Sequence, residues 1–428
     1  MRGVYVLLLI SLLGYTGRVS GQESVTITQC YEWARANYPQ IHQMGLIDQT
    51  ERYSLSNVGK AWLPQLSVSG KASYQSDVTK LPLDGDKISS LLPGFEIPSL
   101  SKDQYQVVAQ VDQTIWDGGS TRSARALTRA EAIANREQLE SELYALNDRV
   151  NQIYFGCLLQ DELIRQNALL QKELQVNIER IEAMMENGVA NQSDLESMEV
   201  ELLNARQNEI ELKASRTVYR QMLATFINKP LTDQVVLKTP ESPERSLSTQ
   251  INRPELRALD AKSEWIETQN KQVTAGLMPR IGAFVQGGYG RPGLNMLEDS
   301  FEPYYVAGVR LSWNLGKLYT LKNDRRKIEV SRRQIDVQRE TFLFNPRLQL
   351  LQQNTEIKKM TDLMRADDDI IRLRTSIKQA AEVKLENGVI SVTDLIREIN
   401  AEDMARQTAA AHRVQRLMTI YNYMYTTN

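Results

Sequence analysis

The spacing of hydrophobic positions changes twice in each half of this chain. Between Thr28 and Ala61 apolar residues recur every three or four positions (Cys30, Trp33, Ala34, Tyr38, Ile41, Leu46), predicting a helix over 28–61 that stops at Trp62-Leu63-Pro64. The period then drops to two. Leu66, Val68, Gly70, Ala72 and Tyr74 alternate with Gln65, Ser67, Ser69, Lys71 and Ser73, which predicts a strand over 65–74. After a loop rich in Pro, Gly, Ser and Asp a second alternation covers 105–115, with Tyr105, Val107, Ala109, Val111 and Ile115 opposite Gln106, Gln110, Asp112 and Thr114. Trp116-Asp117-Gly118-Gly119 then opens a helical pattern over 119–187, and a return helix follows over 193–227. At 1.5 Å per residue the first of these helices is roughly 100 Å long, more than a globular domain needs.

A proline-rich linker over 229–254, with Pro230, Pro240, Pro243 and Pro254, separates this half from a second one built in the same order. The second half reads as a helix over 255–277, strands over 280–289 and 304–315, a long helix over 317–387 and a final helix over 393–423. Pro346 falls inside the second long helix and is expected to kink or break it. Glu186-Asn187-Gly188-Val189 and Asp194-Leu195 return 200 residues later as Glu386-Asn387-Gly388-Val389 and Asp394-Leu395, and Ala205-Arg206-Gln207 returns as Ala405-Arg406-Gln407. Such spacing marks an internal duplication, with repeats at 22–228 and 255–428. Each copy reads as the tip of a helical hairpin, where Gly closes one helix in a left-handed conformation. Ser193 with Glu196 reads as a capping box that opens the next helix.

Composition narrows the chemistry. A formal charge of −2 over 428 residues gives no basic field for nucleic acid. Cys30 and Cys157 allow a single bridge, but both fall in helical patterns and read rather as buried thiols. The two histidines, His42 and His412, have no ligand-type spacing, so neither a metal centre, a cofactor nor an enzyme is expected. Met184-Met185 and the other methionines, 13 in all, read as helix packing. Met1-Arg2, an apolar run from Val4 to Leu13 and small residues up to Gly21 read as a secretory signal peptide over 1–21. No later window is long and apolar enough for a membrane-spanning helix.

Each half thus carries two strands of membrane-crossing length, apolar on one face and Gln, Ser, Gly or Thr on the other. Tyr74, Tyr289 and Tyr305 lie near one end of the apolar face, where an interfacial girdle would sit. Four strands cannot close a barrel, and open edges are not tolerated in lipid, so several copies of the chain must pool their strands.

The ordered set of elements resembles the TolC family of outer-membrane efflux proteins over the whole mature chain. Trp62-Leu63-Pro64-Gln65-Leu66 is similar to the family's entry to its first strand, and Gln113–Gly119 to its strand-to-helix turn. The two tips, Asn187-Gly188-Val189 through Asp194-Leu195 and Asn387-Gly388-Val389 through Asp394-Leu395, resemble its hairpin signature. The pattern is shortened at Gly316, where the family usually has Asp-Gly-Gly.

The resemblance implies a mainly α fold with membrane β-strands. In it a homotrimer forms a twelve-stranded β-barrel in the outer-membrane lipid of a Gram-negative cell, continued by a periplasmic α-helical barrel. It implies a passive exit duct for efflux or type I secretion, with a periplasmic adaptor protein and an inner-membrane transporter as partners and the ten tip residues as docking points. It further implies a constriction a turn or two before the tips, for which Glu182, Glu186, Glu382 and Glu386 are the candidates, while Gln379 occupies another plausible ring position. A second reading is an exported trimeric coiled-coil scaffold or adhesin without a conducting lumen.

Overall fold

The computed structural model describes residues 24–79, 100–242 and 248–428. The expected signal peptide, most of the loop between the first two strands and Pro243 of the linker lie outside these residues. The first half contains β1 (Ser24–Val25), α1 (Ile27–Asn37), α2 (Gln43–Gly59), β2 (Gln65–Tyr74), β3 (Asp103–Trp116), α3 (Ser120–Tyr144), α4 (Leu146–Glu186) and α5 (Gln192–Ile227). The remainder contains β4 (Val236–Leu237), α6 (Pro254–Ala275), β5 (Arg280–Arg291), β6 (Glu302–Ser312), α7 (Lys317–Glu386) and α8 (Val392–Thr427).

Several helix boundaries differ from the reading of the sequence, each for a local reason. The helix expected over 28–61 is two helices, because Tyr38 is extended (φ −67°, ψ 128°), as the residue before a proline prefers. A 3₁₀ turn at Pro39–His42 follows it. The helix expected over 119–187 loosens at Ala145 between α3 and α4, yet Ala145 keeps helical dihedrals (φ −61°, ψ −17°), so the axis is not turned back. Pro346 does not break α7, which runs through it as one helix of 70 residues. A single proline removes one donor from a ladder held on both sides by many.

The capping box lies two residues earlier than Ser193 and Glu196. Asn191 accepts from the Asp194 N–H at 3.1 Å, and the Asp194 carboxylate accepts from the Asn191 N–H at 3.1 Å. Ser391 and Asp394 repeat this reciprocal pair in the second half. Ser193 is already inside the helix, where its carbonyl accepts from the Ser197 hydroxyl at 2.7 Å.

The chain divides into two compact units: Gln43–Gln138 with Arg257–Arg339, and Met1–His42 with Leu139–Leu256 and Glu340–Asn428. The first unit holds a four-stranded antiparallel sheet in the order β2-β3-β5-β6, so β3 of one repeat pairs directly with β5 of the other. The second unit is helical and has two apolar cores. In one, β1 pairs in parallel with β4 against α1, α4 and α5. The fully buried Tyr154 hydroxyl stands 2.9 Å from the Val25 carbonyl and 2.7 Å from that of Lys238, so one phenol ties both short strands to α4. Buried Arg220 donates to the Thr232 carbonyl at 3.1 Å and also to that of Val235, fixing the start of the linker. Cys30 and Cys157 are free and buried in this core, and burial pushes both thiols up to about 12.

The second core joins both hairpin tips. Leu174, Ile178 and Ile181 of α4 and Met198 and Leu202 of α5 pack in one cluster with Leu385 of α7 and Leu395 and Ile399 of α8. Next to it a buried carboxylate, Glu402, meets Lys378 Nζ at 2.6 Å, Arg406 Nε at 2.9 Å and the Thr375 hydroxyl at 2.6 Å, and Lys378 also reaches Glu173 of α4. Asp403 is beside this cluster, held at 2.6 Å by Gln407. Burial, reinforced by the charges of Glu173 and Glu402, raises its carboxyl to about 6.

A folded pKa above the unfolded one means that the contribution of Asp403 is fully present below about pH 4 and is lost as the pH rises through about 6. Asp403→Asn should therefore raise the melting temperature at pH 7.5 and leave it nearly unchanged at pH 3.5. Equal shifts at both values would show that Asp403 is not held protonated in the native packing.

Candidate functional site

The sheet is inverted relative to one in water. Pleating sends alternate residues to opposite faces, and the register keeps one apolar face across all four strands: Leu66 opposite Val111, Val111 opposite Val285, and Ala283 opposite Val309. These residues are the exposed ones, with Leu66 71%, Val68 70%, Val309 70% and Tyr305 80% accessible. Along β3 the glutamines Gln104, Gln106 and Gln110 are half-buried, whereas Tyr105, Val107 and Val111 are exposed. Water would drive this burial the other way, so the apolar face is built for a non-aqueous neighbour.

Aromatic residues edge that face at both ends. Tyr74, Tyr105, Tyr289 and Tyr305 occupy the loop end, where Phe301 stacks on Tyr105 and Tyr289 with centroids 6.3 and 5.7 Å apart. Trp62, Trp116 and Trp313 occupy the helix end, three of the chain's five tryptophans. The sequence pattern revealed the tyrosines and missed this second belt. For Trp116 the reason is a β-bulge between Thr114 and Trp116, which breaks the alternation and sets Trp116 opposite Ile281, on the apolar side. From Tyr105 to Trp116 the strand extends about 36 Å. Tilted by about 40° it spans about 28 Å, close to the apolar band of a membrane barrel.

The other face is mainly polar, with Val108 and Val306 among its residues. Gln110 donates to Asp112 at 2.6 Å, Arg310 stands 3.6 Å from Asp112 and lies 4.7 Å over the Phe284 ring, and Gln106 donates to the Tyr304 hydroxyl. The two rings on this side lie over glycines. A Cβ on Gly288 would come within 2.3 Å of Tyr304, and one on Gly308 within 3.1 Å of Phe284. Among the described residues the outer edges of β2 and β6 have no partner strand.

At the C-terminal ends of α4 and α7, Gly188 (φ +76°) and Gly388 (φ +67°) close the helices in the left-handed region. Asn187 and Asn387 each donate back to a helix carbonyl at 2.7 Å. The ten expected docking residues divide by environment. Asp194 and Asp394 are engaged in the caps, Leu195 packs against the tip core and Leu395 is fully buried in it. Val189 and Val389 are exposed. Among the constriction candidates, Glu182 and Glu186 are exposed and Glu382 is half-buried, while Glu386 lies 3.7 Å from Arg180.

Residues 30–229 match the sequence profile described as Outer membrane efflux protein, a stretch that ends with the first repeat. Over that stretch, 200 of its 428 residues, the chain resembles that family. Outer membrane efflux proteins are transport proteins of the outer membrane, and the inverted sheet is what such a location requires. The fold agrees with solved channels at low sequence identity. CusC, described through its folding and transmembrane channel formation, is 14% identical over 94% of this chain and 92% of its own, with a TM-score of 0.66. The outer-membrane channel OprN is 14% identical over 94% and 89%, with a TM-score of 0.66. VceC of Vibrio cholerae is 12% identical over 94% and 95%, with a TM-score of 0.63. No curated protein sequence matches the chain.

The tip glycines give a clean test of whether the turns do more than close helices. A Cβ at Gly388 would meet nothing within 4 Å, so substitution strains only the backbone. Gly388→Ala should cost about 1–2 kcal/mol locally. Gly388→Val, strained further, should abolish efflux in cells while the protein is exported and assembled in normal amount. Loss of the assembled protein itself would assign Gly388 a folding role alone.

Proposed function

We propose that three copies of the chain pool their sheets into a twelve-stranded barrel across the outer membrane, forming the exit duct of a tripartite efflux or type I secretion assembly. The observation that carries this is the inverted four-stranded sheet with two open edges. Its exposed apolar face suits lipid, its polar face suits a water-filled lumen, and β2 and β6 find in neighbouring copies the partners they lack. A scaffold or adhesin without a lumen would have no use for a polar face flattened by glycines. The long helices continue the lumen, and the exposed valines at the tips, Val189 and Val389, meet a periplasmic adaptor that links the duct to an inner-membrane pump. The pump, a separate chain, sets the cargo.

The two sheet faces predict opposite responses to the same charge. Val309→Arg places a cation on the apolar face and should cost about 2–4 kcal/mol near the bilayer midplane, sharply lowering insertion of purified trimers into planar bilayers. Ser67→Arg, on the polar face, should insert normally and change the conductance. Equal insertion of both variants would contradict the assignment of faces, and a detergent-free monomer in sedimentation would contradict the barrel.

Near the tips we propose that Glu182, Glu186 and Glu382 line a constriction, with Glu386 partly neutralised by Arg180. In a trimer each position becomes a ring of three carboxylates, which attracts cations into a narrow pore. Glu182→Gln and Glu382→Gln should each reduce cation selectivity and divalent block in single-channel recordings. Unchanged selectivity in both would remove these residues from the constriction.

A further inference from the structure

Directly beneath the tryptophan belt, within the sheet unit, lies a cleft of about 1120 Å³ lined by Trp62 and Trp116 on one side and by α3 and the end of α6 on the other. Arg122, Arg125 and Arg129 stand three and four residues apart on α3, hence on one helix face, and Lys271 of α6 faces the same cleft. Arg125 is seated against α2 at Gly59, where a Cβ would stand 2.9 Å from its guanidinium. Among the described residues none of these four cations has an acidic partner. The single acid in the lining, Asp117, is already engaged by the backbone N–H groups of Gly119 at 2.9 Å and Thr121 at 2.6 Å.

Four unpaired cations clustered in one cleft repel one another, so the cluster is arranged for an anion. Its position says which kind. Trp62 and Trp116 edge the apolar face, and tryptophan at such an edge marks the headgroup level of a bilayer. An anion bound here while its apolar part runs up along Leu66, Val111 and Ile281 is an amphiphile. We propose that this cleft binds the phosphate of an anionic phospholipid from the periplasmic leaflet, with Arg122, Arg125, Arg129 and Lys271 as its ligands. The proposal rests on the reading that the apolar face meets lipid. It adds a fixed lipid site at the junction of sheet and helices, of the kind that basic pockets at a membrane surface form.

Native mass spectrometry of the intact detergent-purified assembly, titrated separately with phosphatidylglycerol, cardiolipin and phosphatidylcholine, tests this. The expected result is retention of the two anionic lipids at least tenfold above phosphatidylcholine, falling with salt, and at least a tenfold loss in R122Q/R125Q/R129Q. Lys271→Gln alone, a milder change, should weaken retention in the same direction without altering the melting temperature. Equal retention of the three lipids, or unchanged retention in both variants, overturns the proposal. So does displacement by inorganic phosphate at the lipid's own concentration, which would mark an unspecific anion site. Wild-type protein that conducts in a planar bilayer yet shows no lipid preference would sink this site alone, whereas failure to insert would sink the barrel.

Discussion

A strand in hydrocarbon has no water to satisfy its backbone, and this requirement governs the sheet unit. Each N–H and C=O left on the outer edge of β2 or β6 would cost several kcal/mol in lipid. The apolar face excludes a purely aqueous setting, and the open edges exclude a lone chain in lipid. Closure with further copies, as proposed above, would meet both conditions. The pairing of β3 with β5 follows from the same economy, since joining the two repeats inside one chain leaves two edges to be matched instead of four.

The helical unit obeys a different rule. Its apolar positions are too sparse to bury every helix face, so its order comes from a few dense points. At one, Tyr154 and Arg220 satisfy the carbonyls of the short strands and the linker. At the other, the tips of both hairpins share one apolar cluster, flanked by the buried ion cluster around Glu402. A buried carboxylate met by Lys378, Arg406 and Thr375 contributes little net stability over an apolar substitute, but it penalises any slip of α7 against α8 that would leave a charge unmatched.

The strands and their two faces were legible in the sequence because a strict alternation assigns each residue to one face, whereas the strand order and register came from the pairing itself. The hairpin tips were legible because the duplication supplied two independent copies of the signal. The remainder was hidden for specific reasons. Apolar spacing continues across Pro39, so the pattern alone does not mark the break. Trp116 joins the tryptophan belt only through a bulge, a tertiary feature that inverts parity at one residue. Lys378, Glu402 and Arg406 look like ordinary surface charges at helical spacing, and only the packing of the helices buries Glu402 and brings the two cations onto it. At the tips, the motif residues Asp394 and Leu395 turned out to have internal work to do, which no motif could separate from docking.

The duplication has a consequence for stoichiometry. A threefold assembly of a chain with two similar hairpins presents six tips, arranged as two alternating kinds. Both kinds offer an exposed valine beyond a left-handed glycine. They differ in charge, because Glu386 has Arg180 beside it, whereas among the described residues Glu186 has no such neighbour. A binding partner that reads only the valine would saturate at six copies per assembly. One that also reads the carboxylate would distinguish the kinds and stop at three.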